Sequence, residues 1–231
     1  EIHGGPFSMY GPFFASEIQR YAAEGYVTVY VNPRGSTGYG EEFAQAIDQA
    51  YPGYDYDDLM SVVDELVARK YADPDRLFVT GGSGGGILTA WIVTKTDRFA
   101  AAASIKPVIN WMTMALAGDI AQFVRRHWIR EDPWSNPDAF LKLSPISYVD
   151  QVVTPTLVMV GEEDWRTPTW EAEQFYTALK MNDVDTALIR VPGSSHYIAG
   201  RPSRQIAKTD NIMGWFAKYD PAKIDEDSEG K

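Results

Sequence analysis

The sequence predicts a parallel α/β sheet with helices on both faces. Three observations carry that reading. Short apolar runs alternate with helical patterns along the chain. The runs are apolar throughout, as strands covered on both faces are. One run passes through Gly81-Gly82-Ser83-Gly84-Gly85 straight into a helical pattern, a strand-to-helix turn of unusual tightness. With 231 residues the chain can bury a sizeable core, and 45% hydrophobic with 23% charged is ordinary for a globular protein.

The elements follow in order. Tyr26–Val31 is a β-branched run ended by Asn32-Pro33-Arg34-Gly35 and reads as a strand. Leu59, Val62, Val63, Leu66 and Val67 recur at helical spacing after the acidic start Asp55–Asp58. Leu77–Thr80 is the second strand and Gly86–Lys95 a helix. Ala100–Ile105, closed by Lys106-Pro107, is the third strand. Asn110–Ile129 is long, aromatic and helical, and the loop Arg130–Pro137 follows it. Together they read as an insertion over the sheet, spanning about 110–143, of the kind that forms lids and pocket walls. Thr156–Val160 and Ala187–Val191 are the last strands, with helices over Thr169–Met181 and Ile206–Ala217. One domain over 1–219 is expected, followed by an acidic, flexible tail over 220–231.

Composition excludes several functions. Lys and Arg number 21 against 32 Asp and Glu, a net charge of −11, which argues against nucleic acid and anionic membranes as partners. No run approaches 18 uncharged apolar residues. There is no cysteine, so disulfides, thiolate metal sites and cysteine catalysis are absent.

The chemistry centres on Gly81-Gly82-Ser83-Gly84-Gly85, which contains G-x-S-x-G between a strand and a helix. A serine on such a turn is held in a strained backbone with its hydroxyl exposed, and small neighbours let strand and helix approach. A phosphate loop is the alternative, but the Walker lysine is missing, as is G-x-G-x-x-G with an acid about 20 residues on. A serine nucleophile needs a base. His196 lies after the last strand, where parallel sheets gather their active sites. His3 stands at the chain start and His127 within the insertion, where a structural or pocket-wall role is expected. The base needs an acid to hold its tautomer. Asp164, directly after the fourth strand, competes with Glu162 and Glu163 of the same loop. The order Ser83, Asp164, His196 is that of one class of serine hydrolases. His3-Gly4-Gly5-Pro6 can aim a backbone N–H at a developing oxyanion, with Gly84 N–H as second donor, each worth about 3 kcal/mol in the transition state.

These residues, with Asn32–Gly40, Asp73-Pro74-Asp75-Arg76-Leu77, Ser144-Pro145-Ile146, Gly161–Pro168 and Arg201-Pro202, resemble the catalytic domain of the prolyl oligopeptidase family of serine peptidases, its acylaminoacyl-peptidase-like branch in particular. The resemblance spans about residues 3–217 and implies an α/β-hydrolase fold, truncated at its N-terminus. It implies Ser83, Asp164 and His196 as triad, favouring Asp164 over the two glutamates, and the N–H groups of Gly5 and Gly84 as oxyanion hole. It implies that Arg166 grips a substrate carbonyl, the competing role being an ion pair with Glu162 or Glu163. Aromatic residues are expected around the residue before the cut, Trp111 first, then Phe123, Trp128 and Trp165.

The implied function is serine hydrolysis of short peptides, including release of N-acylated amino acids, without metal or organic cofactor. The rivals are a carboxylesterase of the same fold and a non-catalytic fragment. Relatives carry hydrolase strands ahead of His-Gly-Gly and a β-propeller before them, whereas only Glu1 and Ile2 stand there in this chain. The strand feeding His3-Gly4-Gly5 is an inner one, flanked by Tyr26–Val31 and Leu77–Thr80. A slot is therefore expected between those two, filled by an upstream segment of the parent protein or, in a homo-oligomer, by a symmetry mate. The compartment, cytoplasmic or periplasmic, is left open.

Overall fold

Four short strands pair in parallel, in the order β1 (Phe78–Gly82), β2 (Ala101–Ile105), β3 (Thr156–Gly161) and β4 (Thr186–Val191). The computed structural model describes residues 1–223. Register is regular across the sheet: Thr80 faces Ala103, Ser104 faces Val158, and Val158 faces Leu188. β2 and β3 are buried at every position, which is why these runs are apolar without alternation.

The helices are α1 (Ser16–Ala23), α2 (Glu41–Gln45), α3 (Tyr54–Ala68), α4 (Gly84–Val93), α5 (Trp111–Ala117), α6 (Ala121–Phe123), α7 (Pro137–Leu143), α8 (Thr169–Met181) and α9 (Pro202–Lys218). Side chains alternate across the sheet and build two cores. Val79, Ala102, Val158 and Val160 pack against α3, α4 and α8 through Leu59, Ile87, Leu88, Ile92 and Phe175. Ala101, Ala103, Ile105, Leu157 and Met159 face α1 and α9 through Tyr21, Ile212, Met213 and Phe216. The small residues of β2 let α4 lie close: a Cβ on Gly86 would stand 2.4 Å from the Ile105 carbonyl, and Ser104 Oγ donates to the Gly86 carbonyl at 2.8 Å.

Between β2 and β3 the chain leaves the sheet for the expected insertion. It is helical but broken: α5 stops at Gly118, and α6 runs into a π-helical turn over Val124–Trp128. Asn110 caps α5 through its side chain, and Asn136 caps α7 with Pro137 at its first turn.

Two expectations need correction. Tyr26–Val31 forms no ladder strand. The segment stands apart from β1, and the position between them holds only Glu1 and Ile2. Ile2 N donates to the Thr80 carbonyl at 2.9 Å and bridges Gly81 in parallel, while the Glu1 amine donates to the Val29 carbonyl at 2.9 Å. Beyond them a cleft of about 280 Å³ opens between Tyr26–Val29 and Leu77–Thr80. Among the described residues no strand pairs with 26–31, and the cleft opens between the two segments expected to flank the slot. Asp220, expected at the start of the flexible tail, is also placed otherwise. Asp220 is buried and takes a two-pronged ion pair from Arg76, Nε at 2.7 Å and Nη2 at 2.8 Å. Residues 224–231 lie outside the described residues.

Candidate active site

All four strand ends on one edge of the sheet deliver polar groups to one place, as parallel sheets do at their carboxyl ends. Ser83 follows β1 with φ +60°, in the left-handed region that a serine occupies only under constraint. Two contacts hold the turn: Ser83 N donates to the Ile105 carbonyl at 3.0 Å, and Ile87 N to the Ser83 carbonyl at 2.9 Å. The G-x-S-x-G pattern has a packing cause here. A Cβ on Gly85 would lie 2.0 Å from the Ile2 carbonyl, and one on Gly84 2.7 Å from the Gly5 carbonyl. The segment Ile2–Gly5 thus runs directly against the start of α4.

His196 comes from the loop after β4. Its Nε2 lies 2.9 Å from Ser83 Oγ, and its Nδ1 lies 2.8 Å from Asp164 Oδ2 and 3.0 Å from Oδ1. An ionised carboxylate only accepts, so Nδ1 carries the proton and Nε2 is free to accept from the serine hydroxyl. Asp164, in the turn after β3, is 3% exposed. Burial pushes its carboxyl up, but hydrogen bonds from His196 and Thr167 outweigh this and hold it below the ordinary carboxylate value. Glu162 and Glu163 do not share this place. Glu162 faces Arg190 at 3.6 Å, and both are exposed.

The His3-Gly4-Gly5 turn sits beside the serine. Gly5 has φ +118°, which L side chains rarely adopt. Gly84 opens α4, so its N–H has no acceptor within the helix. His3 is a brace: Nδ1 donates to the Gly4 carbonyl at 2.7 Å, and Nε2 lies 2.9 Å from Ser36 Oγ. Burial pushes its imidazole pKa down. His127 packs on the rings of Phe7 and Phe123, at 6.0 and 4.5 Å between centroids.

Placement corrects one substrate-contact expectation, Trp111, and the competing ion pair expected of Arg166. Trp111 is completely buried, with Nε1 donating to the Leu143 carbonyl at 3.0 Å. It backs Tyr51 and Trp128 and presents no surface. Phe123 is partly exposed and meets Phe7, two residues beyond Gly5. Trp128 is buried, and Trp165 stands 67% exposed. Arg166 pairs with neither Glu162 nor Glu163. It bonds Asp119 of the insertion, through Nε at 2.5 Å and Nη2 at 3.3 Å.

Several residues around the site carried no sequence signal. Tyr51 Oη donates to the Gly84 carbonyl at 3.0 Å. Lys106, at φ +46°, donates through Nζ to the His196 carbonyl at 2.7 Å, and burial pushes its ammonium down to about 8. Glu171 of α8 accepts from Ile109 N at 2.8 Å, Asn110 N at 2.9 Å and Thr113 Oγ1, and so fixes the loop after β2. A glutamate on an amphipathic helix reads as a solvated charge; only the fold turns it inward.

The prolyl oligopeptidase family model matches residues 12–220. The chain is 42% identical over 221 residues to the uncharacterized peptidase YuxL of Bacillus subtilis (strain 168), covering 94% of this chain and 34% of that protein. It is 33% identical to the acylamino-acid-releasing enzyme of Arabidopsis thaliana, covering 94% and 30%. The Pyrococcus horikoshii acylaminoacyl peptidase superposes with a TM-score of 0.89 at 33% identity, over 94% of this chain and 36% of that one. The chain thus spans about a third of the length of the relatives it matches. Its sheet, its serine turn and these matches give one conclusion: the fold is that of the α/β-hydrolases, and the chain belongs to the prolyl oligopeptidase family.

Proposed function

We propose that this chain is the catalytic part of a serine peptidase that hydrolyses short peptides, with release of N-acylated amino acids as its acylaminoacyl-peptidase-like specialisation. The observation that carries the reading is the unbroken line from Ser83 Oγ through His196 to the buried Asp164, with spacings of 2.9 and 2.8 Å. A serine hydroxyl is a poor nucleophile until a base takes its proton. Ser83 Oγ attacks the substrate carbonyl as Nε2 accepts the hydroxyl proton. The imidazolium is held by Asp164, which stays ionised. The oxyanion forms where the N–H groups of Gly5 and Gly84 converge. His196 then returns the proton to the leaving amine, and water, activated by the same base, releases the acid from the acyl-enzyme.

Phe7 and Phe123 line the approach beside the oxyanion turn and offer apolar contact to the residue before the cut. Arg166, oriented by Asp119, keeps guanidinium donors for a peptide carbonyl further upstream, a task suited to a fixed, permanently charged fork. The unfilled slot beside Ile2 and the greater length of the relatives support an upstream strand and a further domain, a β-propeller in this reading, in the parent protein. A homo-oligomer that closes the slot with a symmetry mate is the alternative partner.

The test is kcat/KM on a matched peptide and ester pair, in the native protein and in Arg166→Ala. Peptide turnover is expected to fall sharply in the variant while a small ester, which lacks the upstream carbonyl, is spared. A native protein that turns over only the ester would make it a carboxylesterase.

A further inference from the structure

The carboxylate of Asp164 is held unequally at its two oxygens. Oδ1 accepts two backbone amides, Arg166 N and Thr167 N, both at 2.9 Å. These bonds come from the turn itself and persist whatever side chains follow. Oδ2, the oxygen nearer the imidazole, accepts His196 Nδ1–H at 2.8 Å. It has one further donor, the hydroxyl of Thr167 at 3.1 Å. That same Oγ1 stands 3.3 Å from His196 Nδ1, so it touches both members of the pair. Asp164 and Thr167 are each 3% exposed, so the hydroxyl is shielded from bulk solvent.

We propose that Thr167 is a positioning residue of the serine hydrolysis reaction, whose hydroxyl fixes Asp164 Oδ2 toward His196 Nδ1. The inference rests on Ser83, His196 and Asp164 being the triad. A carboxylate's last torsion is soft; the amides hold Oδ1, and Nδ1 lies within 3.0 Å of Oδ1 as well as 2.8 Å of Oδ2, so Oδ2 is set toward the imidazole only by that bond and by the threonine hydroxyl. Threonine is stiff at χ1, so its hydroxyl is held in place before the histidine arrives. During turnover His196 becomes charged and must keep its Nδ1–H on one acceptor while Nε2 moves between serine and leaving group. A second donor on Oδ2 opposes rotation of the carboxylate at that moment. The lowered pKa of Asp164, to which the Thr167 bonds contribute, agrees with this placement.

The test compares Thr167→Val, which keeps the shape and loses the hydroxyl, with Thr167→Ser, which keeps the hydroxyl. The measurements are kcat and KM on a short peptide and on a small ester, the rate at which a fluorophosphonate labels Ser83, and the thermal midpoint. Thr167→Val should lower kcat and labelling rate by about 10- to 100-fold, the worth of one hydrogen bond to a charged group. KM should stay within about twofold, since no substrate contact is lost. Thr167→Ser should return to within about threefold of the native rate. Native rates in Thr167→Val, or equal losses in both variants, would overturn the proposal, the second by assigning the effect to the methyl group. If Thr167→Val fails to fold, Thr167→Ala against Thr167→Ser poses the same question, because both lack the methyl and differ in the hydroxyl; equal rates in that pair overturn it. Asp164→Asn measured alongside separates the layers. An inactive Asp164→Asn with a native-like Thr167→Val removes the role of Thr167 alone, whereas an active Asp164→Asn removes the triad.

Discussion

The two sides of this sheet are built to different standards. From β2 to β4 the ladder is closed: β2 and β3 are paired on both sides and buried throughout. On the other side, beyond β1, the ladder shrinks to one bridge at Ile2. Tyr26–Val31 runs extended without strand partners, Val27 is 66% exposed, and Tyr26 Oη and Thr28 Oγ1 are buried without a hydrogen bond. Asp164 and His196 hang from the closed side and Ser83 from β1 at its border, whereas the turn that carries Gly5 hangs from the open one. In the proposed mechanism the proton-transfer groups are therefore anchored chiefly by the chain's own core, and the oxyanion turn by what lies beside it. Geometry inherits the stability of the elements that present it.

The largest effect should come from breaking the closed side at its chemistry. Asp164→Asn lowers kcat by about 10⁴, as an amide there can hold the histidine in the wrong tautomer. Glu162→Gln and Glu163→Gln leave kcat within about twofold, since neither carboxylate reaches His196. Steady-state kinetics on one peptide substrate would decide this, and a larger loss at either glutamate would reassign the acid.

The packing contrast comes next. Phe175→Ala, at a fully buried position under β3, should cost about 3–5 kcal/mol in a denaturant titration. Val27→Ala, on the open side, should cost no more than about 0.5 kcal/mol. A Val27→Ala loss above 2 kcal/mol would mean that the segment is held as firmly as a strand. Gly84→Ala tests how the two sides meet. The new Cβ would stand 2.7 Å from the Gly5 carbonyl, pushing the open-side turn away while the serine stays in place. A kcat loss of about 10²–10³, the cost of one oxyanion donor, is expected. Undiminished turnover would place the oxyanion elsewhere.

The smallest effect is a pH slope. Burial pushes the carboxyl of Glu171 up to about 7, against hydrogen bonds from Thr113, Ile109 and Asn110 that pull it down. The folded state then binds a proton that the unfolded chain releases near 4.5. That contribution is full below about 4.5 and is lost as pH rises through about 7, a change on the order of 2–3 kcal/mol. Glu171→Gln should remove it, so the native protein gains on the variant as pH falls from 7 to 4.5. A stability difference independent of pH across that window would show the carboxyl to be ionised throughout.

How far the sequence speaks follows the same division. β1 to β4 were legible because each is a short apolar run ended by glycine, proline or a polar loop. Ser83, Asp164 and His196 were legible because each stands just past such a run, where a parallel sheet exposes its strand ends. Tyr26–Val31 carries the same β-branched pattern, yet a strand also needs a neighbour, and pattern alone does not supply one. Trp111 was misplaced for a related reason: an aromatic residue near a site is equally suited to core and pocket wall, and only packing separates them. Lys106 and Glu171 left no trace because their contacts are with residues 90 and 62 positions away. The partner of Arg166 was equally hidden, since Asp119 lies 47 positions off.

The central claim is that Ser83 is a nucleophile made reactive by His196. Treating the protein with a fluorophosphonate and measuring its intact mass and peptide map tests it most directly. The account predicts a single adduct on Ser83, none in Ser83→Ala, and labelling slowed by orders of magnitude in His196→Ala. An unmodified native protein, or an adduct that persists in Ser83→Ala, would contradict it.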